Sequence, residues 1–394
     1  MKPPRPPAIH GTLLRLGAER LETPYGAFAL HRLWSLSQRE PLLVLTRGRI
    51  DGAEPLLARV HSSCVTSESY GGCDCDCAQQ LDSALASVAR EGRGVVFYLM
   101  QEGRGAGFAA KARDRMLVQA SRHRLTTFEA YALMGLSGDH RRYEEVAEAC
   151  VLLGLSAPLR LLTNNPEKAA ALERDGVKLA ATAPLAHPAS AFNLHYLESK
   201  SRSGHALEAT PRGTHAAELP ETVELFEPHP LPGTERFVAL ARYLLPVEAG
   251  LAAPVWLRLH AYLDRLAGRE RVVFSHGDPG RARPLLRLQP ERLIERFPSA
   301  AHGGERARWR ESVRCIAARG AGAALFLPRE DPGSRAAAAD TGLLELLLRH
   351  AGAEEVELLQ ASAAPTPAER SLRRLLRARG PDPRTSRLAA TGPG

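Results

Sequence analysis

Two stretches of this 394-residue chain recur in the same order and at almost the same spacing, and this constrains the fold more than any other feature. Residues 42–60 resemble residues 272–288, and residues 86–105 resemble residues 315–334. The paired positions are Gly48 and Gly277, Pro55 and Pro284, Gly92 and Gly320, Gly94 and Gly322, Glu102 and Glu330, and Gly105 and Gly333. Self-similarity at a fixed spacing is typical of a duplicated unit, and a chance match of Gly and Pro in a biased composition is the alternative. We therefore expect one fold present twice.

Hydrophobic periodicity predicts an α/β class with a mixed sheet. Strands are expected at 41–50 and 55–60, and a helix over 79–91 leads into a strand at 95–100. A helix over 143–153 and a strand over 159–163 follow. Asn165 and Pro166 then predict a helix start, and Gly176 its end.

The domain organisation follows from shifts in composition. Residues 1–20 are rich in Pro and Arg, and we expect them to be disordered. A first domain over 21–207 is followed by a Pro-, Thr- and Glu-rich linker over 208–233. Residues 234–394 are then a degenerate second copy, in which the cysteine cluster is missing and Pro332 replaces Arg104. That copy ends in a basic tail, whose residues 369–380 suggest a solvated helix face or a helix that binds an anionic surface.

Charge and composition exclude several classes of function. The net charge is +8, but 47 of the 52 basic residues are Arg and aromatic residues make up only 5%, which argues against nucleic-acid binding. No apolar stretch reaches the length of a membrane span, and the start of the chain lacks the apolar core of a signal peptide. We expect a cytoplasmic protein, in which six cysteines indicate metal or thiol chemistry before disulfides.

The strongest chemical motif is Cys64, ten residues, and then Cys75-Asp76-Cys77. Thiolates are zinc ligands, and three of them leave one tetrahedral position for water, as a hydrolytic site requires. Cys73 could instead complete a four-cysteine structural site. The spacing leaves catalytic zinc, structural zinc and buried or redox thiols open.

Two further segments are candidate anion sites. The loop 101–107, QEGRGAG, leaves a strand, so its amides and Arg104 could bind phosphate. Residues 163–168, TNNPEK, place Lys168 in the first turn of a helix. A tight turn and simple helix capping are the respective alternatives.

In order and spacing these motifs resemble GTP cyclohydrolase II, the enzyme that opens riboflavin biosynthesis. The resemblance covers about Leu21 to Leu207 and rests on RVHSSC (59–64), the cysteine cluster, Gln80, QEGRG (101–105), GLSGDHR (135–141) and LLTNNPEK (161–168). It implies a zinc-dependent hydrolase that opens the imidazole ring of GTP, releases formate and pyrophosphate, and uses Mg2+ with the triphosphate. Because the family is generally dimeric, the resemblance also implies a homodimer or, through the second copy, an internal pseudo-dimer.

The resemblance further implies roles for single residues. Cys64, Cys75 and Cys77 correspond to the zinc ligands, and Cys73 is additional. Asp139 corresponds to the proton acceptor and Arg141 to a nucleophile that attacks the α-phosphorus, a role that needs an adjacent base. On the sequence alone those two residues would be a surface ion pair. The positions matching the family's GTP contacts are Arg59, Val60, His61, Ser62, Gln80, Glu102, Gly103, Arg104, Thr127, Thr163 and Lys168.

Two positions depart from the family pattern. Ser63, which we keep in the substrate-binding set, stands where Glu is usual, and Arg115 stands where a catalytic Tyr is expected. A guanidinium effectively never loses its proton and cannot replace a phenol as proton donor. We therefore hypothesise that ring opening persists while release of the formyl carbon is impaired, which would leave a formamidopyrimidine nucleotide. The alternatives are a nucleotide-binding or regulatory paralogue and a cyclohydrolase for another nucleotide in a specialised pathway.

Overall fold

The computed structural model describes residues 9–388 except 186, 206, 208–212, 279, 281–282, 299–302, 328–336, 354, 361–363 and 379–382. The described chain forms two mixed β-sheets of eight strands each, with helices against both. This confirms the predicted α/β class. We call residues 9–207 the first half and residues 213–388 the second half.

The first sheet has the strand order β1-β2-β3-β4-β6-β5-β7-β8. Its strands are β1 (Ile9–His10), β2 (Leu13–Thr23), β3 (Gly26–Ser35), β4 (Glu40–Arg47), β5 (Leu56–Ser62), β6 (Gly94–Leu99), β7 (Leu159–Leu162) and β8 (Leu179–Ala183). The neighbouring strands β1, β2, β3, β4 and β6 pair antiparallel in that order, and β5 pairs parallel with both β6 and β7. The carboxyl ends of β5, β6 and β7 therefore lie at one edge, where the sequence motifs begin.

The second sheet contains the remaining strands in the order β9-β10-β11-β12-β14-β13-β15-β16. They are β9 (His229–Pro230), β10 (Phe237–Val247), β11 (Val255–Asp264), β12 (Arg269–His276), β13 (Leu285–Pro290), β14 (Gly322–Leu327), β15 (Glu357–Gln360) and β16 (Arg384–Arg387). The two sheets therefore have the same strand order, because adding eight to each strand number of the first sheet gives the order of the second. Both sheets also have a register shift between their second and third strands, at Arg15/Gly17 and at Ala239/Ala241.

Ten α-helices connect and cover these strands in the described residues. They are α1 (Val65–Glu68), α2 (Cys77–Glu91), α3 (Gly107–Ala120), α4 (Thr127–Leu133), α5 (Glu144–Leu153), α6 (Pro166–Arg174), α7 (Leu194–Arg202), α8 (Gly303–Arg319), α9 (Ala337–His350) and α10 (Pro367–Arg377). No helix in this part of the chain has the length and apolar character that crossing a membrane requires.

Matched glycines have matching structural reasons in the two sheets. Gly48 and Gly277 have φ values of 64° and 65°, and a Cβ at either would meet a carbonyl oxygen, of Gly92 or Gly320, within 2.5 Å. Gly94 and Gly322 begin β6 and β14, and a Cβ there would lie 2.8 Å from Leu57 O and 2.7 Å from Leu285 O. The glycine pairs therefore meet equivalent steric demands. The duplication stays a prediction, which these correspondences support.

The two halves share parts of their hydrophobic cores. One face of the first sheet packs against α5 and α6, and one face of the second packs with residues of α9 and α10. The other face of the first sheet contacts α2 and also Phe297 of the second half. The remaining face of the second sheet contacts α8 and also Tyr70 and Met116 of the first half.

Most element predictions are confirmed. Strands cover most of 41–50 and 55–60, α2 and α5 cover the predicted helices, and the Asn165 side chain accepts a hydrogen bond from Glu167 N at the start of α6. The predicted disorder is wrong for residues 9–20, which form β1 and most of β2 because their backbone pairs with β3. Residues 1–8 lie outside the described residues. The second sheet begins at His229, inside the predicted linker.

Candidate functional site

Three cysteines meet at the carboxyl end of β5. Cys64 follows that strand, Cys75 lies in the next loop, and Cys77 is the first residue of α2. Their sulfurs all lie within 4.8 Å of one another, and Cys64 Sγ and Cys75 Sγ are 3.6 Å apart. A zinc–sulfur distance of about 2.3 Å gives a tetrahedral S···S separation of about 3.8 Å. The three thiols therefore fit a single zinc-sized ion.

Cys73 lies apart from this group. Its sulfur is 3.7 Å from Gly71 O, and burial raises the pKa of its thiol to about 12. Among the described residues, the one group of His, Cys, Asp or Glu side chains close enough together to hold a metal ion consists of the other three cysteines. This arrangement does not support the four-cysteine alternative, and it leaves one tetrahedral position for a non-protein ligand.

A buried cation faces the cysteine cluster. Lys111 Nζ lies 3.1 Å from Cys64 Sγ and 2.7 Å from Glu102 Oε1. Burial alone would lower the pKa of Lys111, but the charges of Cys64 and Glu102 outweigh it and hold that pKa well above its ordinary value. The ammonium group therefore places a positive charge beside the sulfur of Cys64. Glu102, a predicted nucleotide contact, also accepts a hydrogen bond from Val65 N and thus supports the cysteine loop.

A cavity of about 90 Å³ opens beside Cys77 and carries strong positive charge. The described residues that line it include no carboxylate. Its cationic lining residues are Arg59, Arg104, Arg141, Lys168 and Lys200. Anionic ligands gain most from such a low-dielectric, single-sign cavity, so its chemistry fits a polyphosphate.

The cations at the base of this cavity are held by backbone oxygens. Arg59 donates to Leu162 O at 2.8 Å, and Lys168 donates to Val60 O at 3.0 Å. Burial lowers the pKa of Arg59 to about 10 and that of Lys168 well below its ordinary value. Arg59 Nε, His61 Nδ1 and Ser62 Oγ are buried without a partner among the described residues. Unpaired polar atoms of this kind indicate a bound ligand.

The glycine-rich loop brings Arg104 to the cavity. Arg104 has a φ of 56°, which is unusual for a residue with a side chain, and its guanidinium lies 4.0 Å from the Phe128 ring centroid. Its carbonyl accepts a hydrogen bond from His140 N. A Cβ at Gly105 would lie 2.8 Å from His140 C, so only glycine lets the two loops approach this closely. The contact places Arg104 and Arg141 on the same cavity.

Asp139 and Arg141 form the predicted ion pair, of which Arg141 lines the cavity. Arg141 Nε lies 2.9 Å from Asp139 Oδ1, and the Arg141 backbone N–H donates to the same oxygen at 3.0 Å. Burial would lower the pKa of Arg141, but its hydrogen bond with Asp139 outweighs that effect and raises it. The Arg141 side chain is 14% exposed and that of Asp139 32%, so the pair borders a cavity and is not a fully solvated surface pair.

Arg115, the predicted catalytic substitute, lies outside this cavity lining. Its Nε is 3.0 Å from Oδ2 of Asp74, a residue of the cysteine loop, and this ion pair is buried. Its guanidinium also lies 4.7 Å from the Tyr196 ring centroid. Arg115 and Thr127 line a neighbouring cavity of about 40 Å³. Arg115 and Thr127 are thus absent from the lining of the cationic cavity, as are Val60, Ser63, Glu102 and Gly103, although Tyr196 lines both cavities.

The remaining predicted residues lie around the cysteine cluster and the cationic cavity. Gln80 bridges Arg59 and Asp76, because its Oε1 lies 2.5 Å from Arg59 and its Nε2 donates to Asp76 at 2.6 Å. Thr163 lines the cavity. Ser63 is buried and its backbone N–H donates to Leu99 O, while Gly103 O accepts a hydrogen bond from Tyr131.

Sequence reasoning missed residues that α7 and the chain after it bring to the cavity. They are Tyr196, Lys200 and His205. Lys200 Nζ lies 2.9 Å from Asp76 Oδ1 and 4.4 Å from the Tyr196 ring centroid. The four-residue spacing of Tyr196 and Lys200 on one helix face was the available signal. Among the described residues that line the cavity, Tyr196 supplies the one phenol group.

The first half of the chain is similar to known proteins. Residues 15–184 match the family model described as GTP cyclohydrolase II. The GTP cyclohydrolase-2 of Shewanella frigidimarina is 35% identical over 193 residues, which cover 49% of this chain and 94% of that protein. The riboflavin biosynthesis protein RibBA of Bacillus mycoides is 41% identical over 50% of this chain and 49% of its own length.

One solved structure also overlaps the chain. It is a two-domain 3,4-dihydroxy-2-butanone 4-phosphate synthase from A. baumannii, 13% identical over 70% of this chain and 59% of that chain, with a TM-score of 0.22. A likeness at that level carries no argument about fold or function.

Proposed function

This chain belongs to the GTP cyclohydrolase II family of hydrolases, and from that premise we propose that its first half opens the imidazole ring of GTP with zinc and releases pyrophosphate. One observation carries the proposal: three thiols that fit a zinc ion adjoin a cavity with five cationic side chains. The first feature suits hydrolysis and the second suits a triphosphate. We infer a cytoplasmic location, in keeping with a free thiol set.

Cys64, Cys75 and Cys77 would hold the zinc ion. When bound, zinc lowers the pKa of a coordinated water to about 7 and so provides hydroxide at neutral pH. Lys111, 3.1 Å from Cys64 Sγ, would place a positive charge beside the metal ligands. His61 is neutral because burial lowers its pKa, so it offers hydrogen bonds without adding charge.

The cationic cavity would bind the phosphates and exclude water from them. Lys168 and Arg59 are desolvated cations that an anion would stabilise, and Arg104 and Arg141 approach from the loops above. Mg2+ would reduce the charge of the triphosphate. Asp139 holds Arg141 and is the group placed to accept a proton from it if Arg141 attacks the α-phosphorus.

Loss of formate is the step in question. The pairing of Arg115 with Asp74 keeps its guanidinium charged, and the residue lies outside the nucleotide cavity lining. It therefore cannot replace a phenol as proton donor. Tyr196 lines the cavity and has a phenol that could donate a proton for formate release. The formyl carbon is therefore retained only if Tyr196 does not act in formate release.

The test is to incubate the purified chain with GTP, and separately with other purine and pyrimidine triphosphates, and to record product masses and formate. Ring opening with pyrophosphate release from GTP supports the proposal. Stoichiometric formate would refute formyl retention but keep the cyclohydrolase assignment. Nucleotide binding without any product would favour the regulatory paralogue, and ring opening of a different triphosphate alone would favour a specialised pathway.

A further inference from the structure

We propose that the second half acts as a built-in partner that holds the metal-ligand loop, residues 64–77, in its binding conformation. This inference deepens the proposed function and rests on it for the use of the site. It assigns a task to a half of the chain whose described residues add none to the three-thiol cluster. Three sets of contacts between the halves support it.

The first set is a reciprocal exchange of aromatic residues. Tyr70, in the segment after β5, packs on Phe326 of the second sheet with 4.3 Å between ring centroids. Phe297, in the segment after β13, packs on Tyr98 of the first sheet at 4.9 Å. Tyr98 and Phe326 are both the fifth residue of their strands, β6 and β14. Each half thus places an aromatic residue, from the segment after β5 or β13, on the equivalent strand position of the other half: Tyr70 on Phe326, and Phe297 on Tyr98. Such a two-way exchange is the pattern of an isologous dimer interface, which here lies within one chain.

The second set ties the backbone of the ligand loop to the second half. Cys73 N donates to Pro246 O and Glu248 N donates to Gly71 O, both at 2.8 Å, and Gly72 forms a bridge with Val247. Tyr70 O accepts a hydrogen bond from Trp309 Nε1, also at 2.8 Å. These contacts lie in the stretch that separates Cys64 from Cys75.

The same stretch is tightly enclosed. A Cβ at Gly72 would lie 2.8 Å from both Leu245 Cδ1 and Thr66 O. Trp309 is 1% exposed and packs on Phe326 with 4.8 Å between ring centroids. The loop therefore fits against the second sheet with little room to adjust.

The third set of contacts links Arg296 of the second half to Cys64, the first predicted metal ligand, through a chain of hydrogen bonds. Arg296 of the second half donates from Nη1 to the Tyr98 hydroxyl at 3.4 Å, and Tyr98 donates to Glu68 Oε2 at 2.5 Å. The other Glu68 oxygen lies 2.8 Å from His61 Nε2 and accepts a hydrogen bond from Cys64 N at 3.2 Å. Arg296 is thus a positioning residue that acts on Cys64 and His61 through two buried side chains.

The experiment uses the full chain and compares two interface variants with one control. Trp309→Phe removes the donor to Tyr70 O, and Arg296→Met removes the guanidinium while keeping the length of the side chain. Leu344→Ala weakens the second half in a core cluster whose described members all lie in that half. The measurements are hydrogen exchange of the amides of residues 64–77, the rate of zinc release to a chelator, and urea unfolding of each variant.

We expect amide exchange and zinc release to be about threefold to tenfold faster in both interface variants, the range that loss of one buried hydrogen bond gives. Leu344→Ala should leave both rates unchanged even where its stability is equally reduced. Interface variants that match Leu344→Ala in both rates would overturn the inference. Amide exchange needs neither zinc nor turnover, so it tests this inference even in a chain that binds no zinc. A chain that binds no zinc would overturn the proposed function alone.

Sedimentation of the wild-type chain gives a second readout. A built-in partner makes a second subunit unnecessary, so we expect a monomer. A dimer joined through the two first halves would overturn the proposal.

Discussion

Replacing Arg115 with Met tests whether this residue supports the fold or takes part in chemistry. The side chains of Arg115 and Asp74 are 3.0 Å apart and only 8% and 11% exposed. Removing one member of a buried ion pair leaves an unpaired charge and costs about 3–5 kcal/mol. Loss of the cation–π contact with Tyr196 adds about 1 kcal/mol. We therefore expect Arg115→Met to lower the free energy of unfolding by about 4–6 kcal/mol.

The assay is urea unfolding at neutral pH of the wild type, Arg115→Met, Asp74→Asn and the double variant. The double variant should be more stable than Arg115→Met, because the neutral amide removes the unpaired charge. The reasoning is refuted if Arg115→Met lies within about 1 kcal/mol of the wild type, or if the two single effects simply add. In that case a functional role for Arg115 would regain support.

Three further predictions concern the metal, the pH and the phenol. Cys75→Ser should lose zinc while the matched variant Cys73→Ser retains it, as measured by metal analysis, and zinc loss from Cys73→Ser would contradict the three-thiol site. Burial raises the pKa of Asp114 to about 6 from 3.8, so stability contributed by the neutral carboxyl is lost as pH rises through 6. Asp114→Asn should flatten urea-derived stability between about pH 4 and 7, and an unchanged slope would speak against this pKa. If Tyr196 serves the formate step, Tyr196→Phe should slow formate release about 100-fold while calorimetry shows nucleotide affinity nearly unchanged. Equal formate release would exclude the phenol from that step.

Local sequence signals predicted much of the site because their physics is local. Asn165 and Pro166 start a helix through their own backbone chemistry, and the structure begins α6 there. The spacing of Cys64, Cys75 and Cys77 predicted three thiols that could hold one ion, and the structure groups the same three. The motifs at 59–64, 101–105 and 161–168 meet because β5, β6 and β7 are neighbours that run in the same direction.

Other assignments failed or stayed incomplete because they depend on partners far away in the chain. Residues 9–20 look disordered by composition, yet β2 forms because β3 supplies its hydrogen bonds. Glu102 matches a nucleotide contact by motif, but its carboxylate is engaged by Lys111. Tyr196 and Lys200 carry no motif that points to phosphate, and α7 brings them to the cavity from outside the motif segments.

The residue types and spacings by themselves determined which chemical groups this protein carries: thiols that suit a metal, cations that suit phosphates, and glycines where a side chain would collide. Which of those groups face each other was decided by tertiary packing. The separation of Cys73 from the other thiols, the pairing of Arg115 with Asp74, and the support of the cysteine loop by the second half all depend on it. The reason is that a side chain's pKa, charge partner and exposure depend on its neighbours in space, which strand order and core packing select.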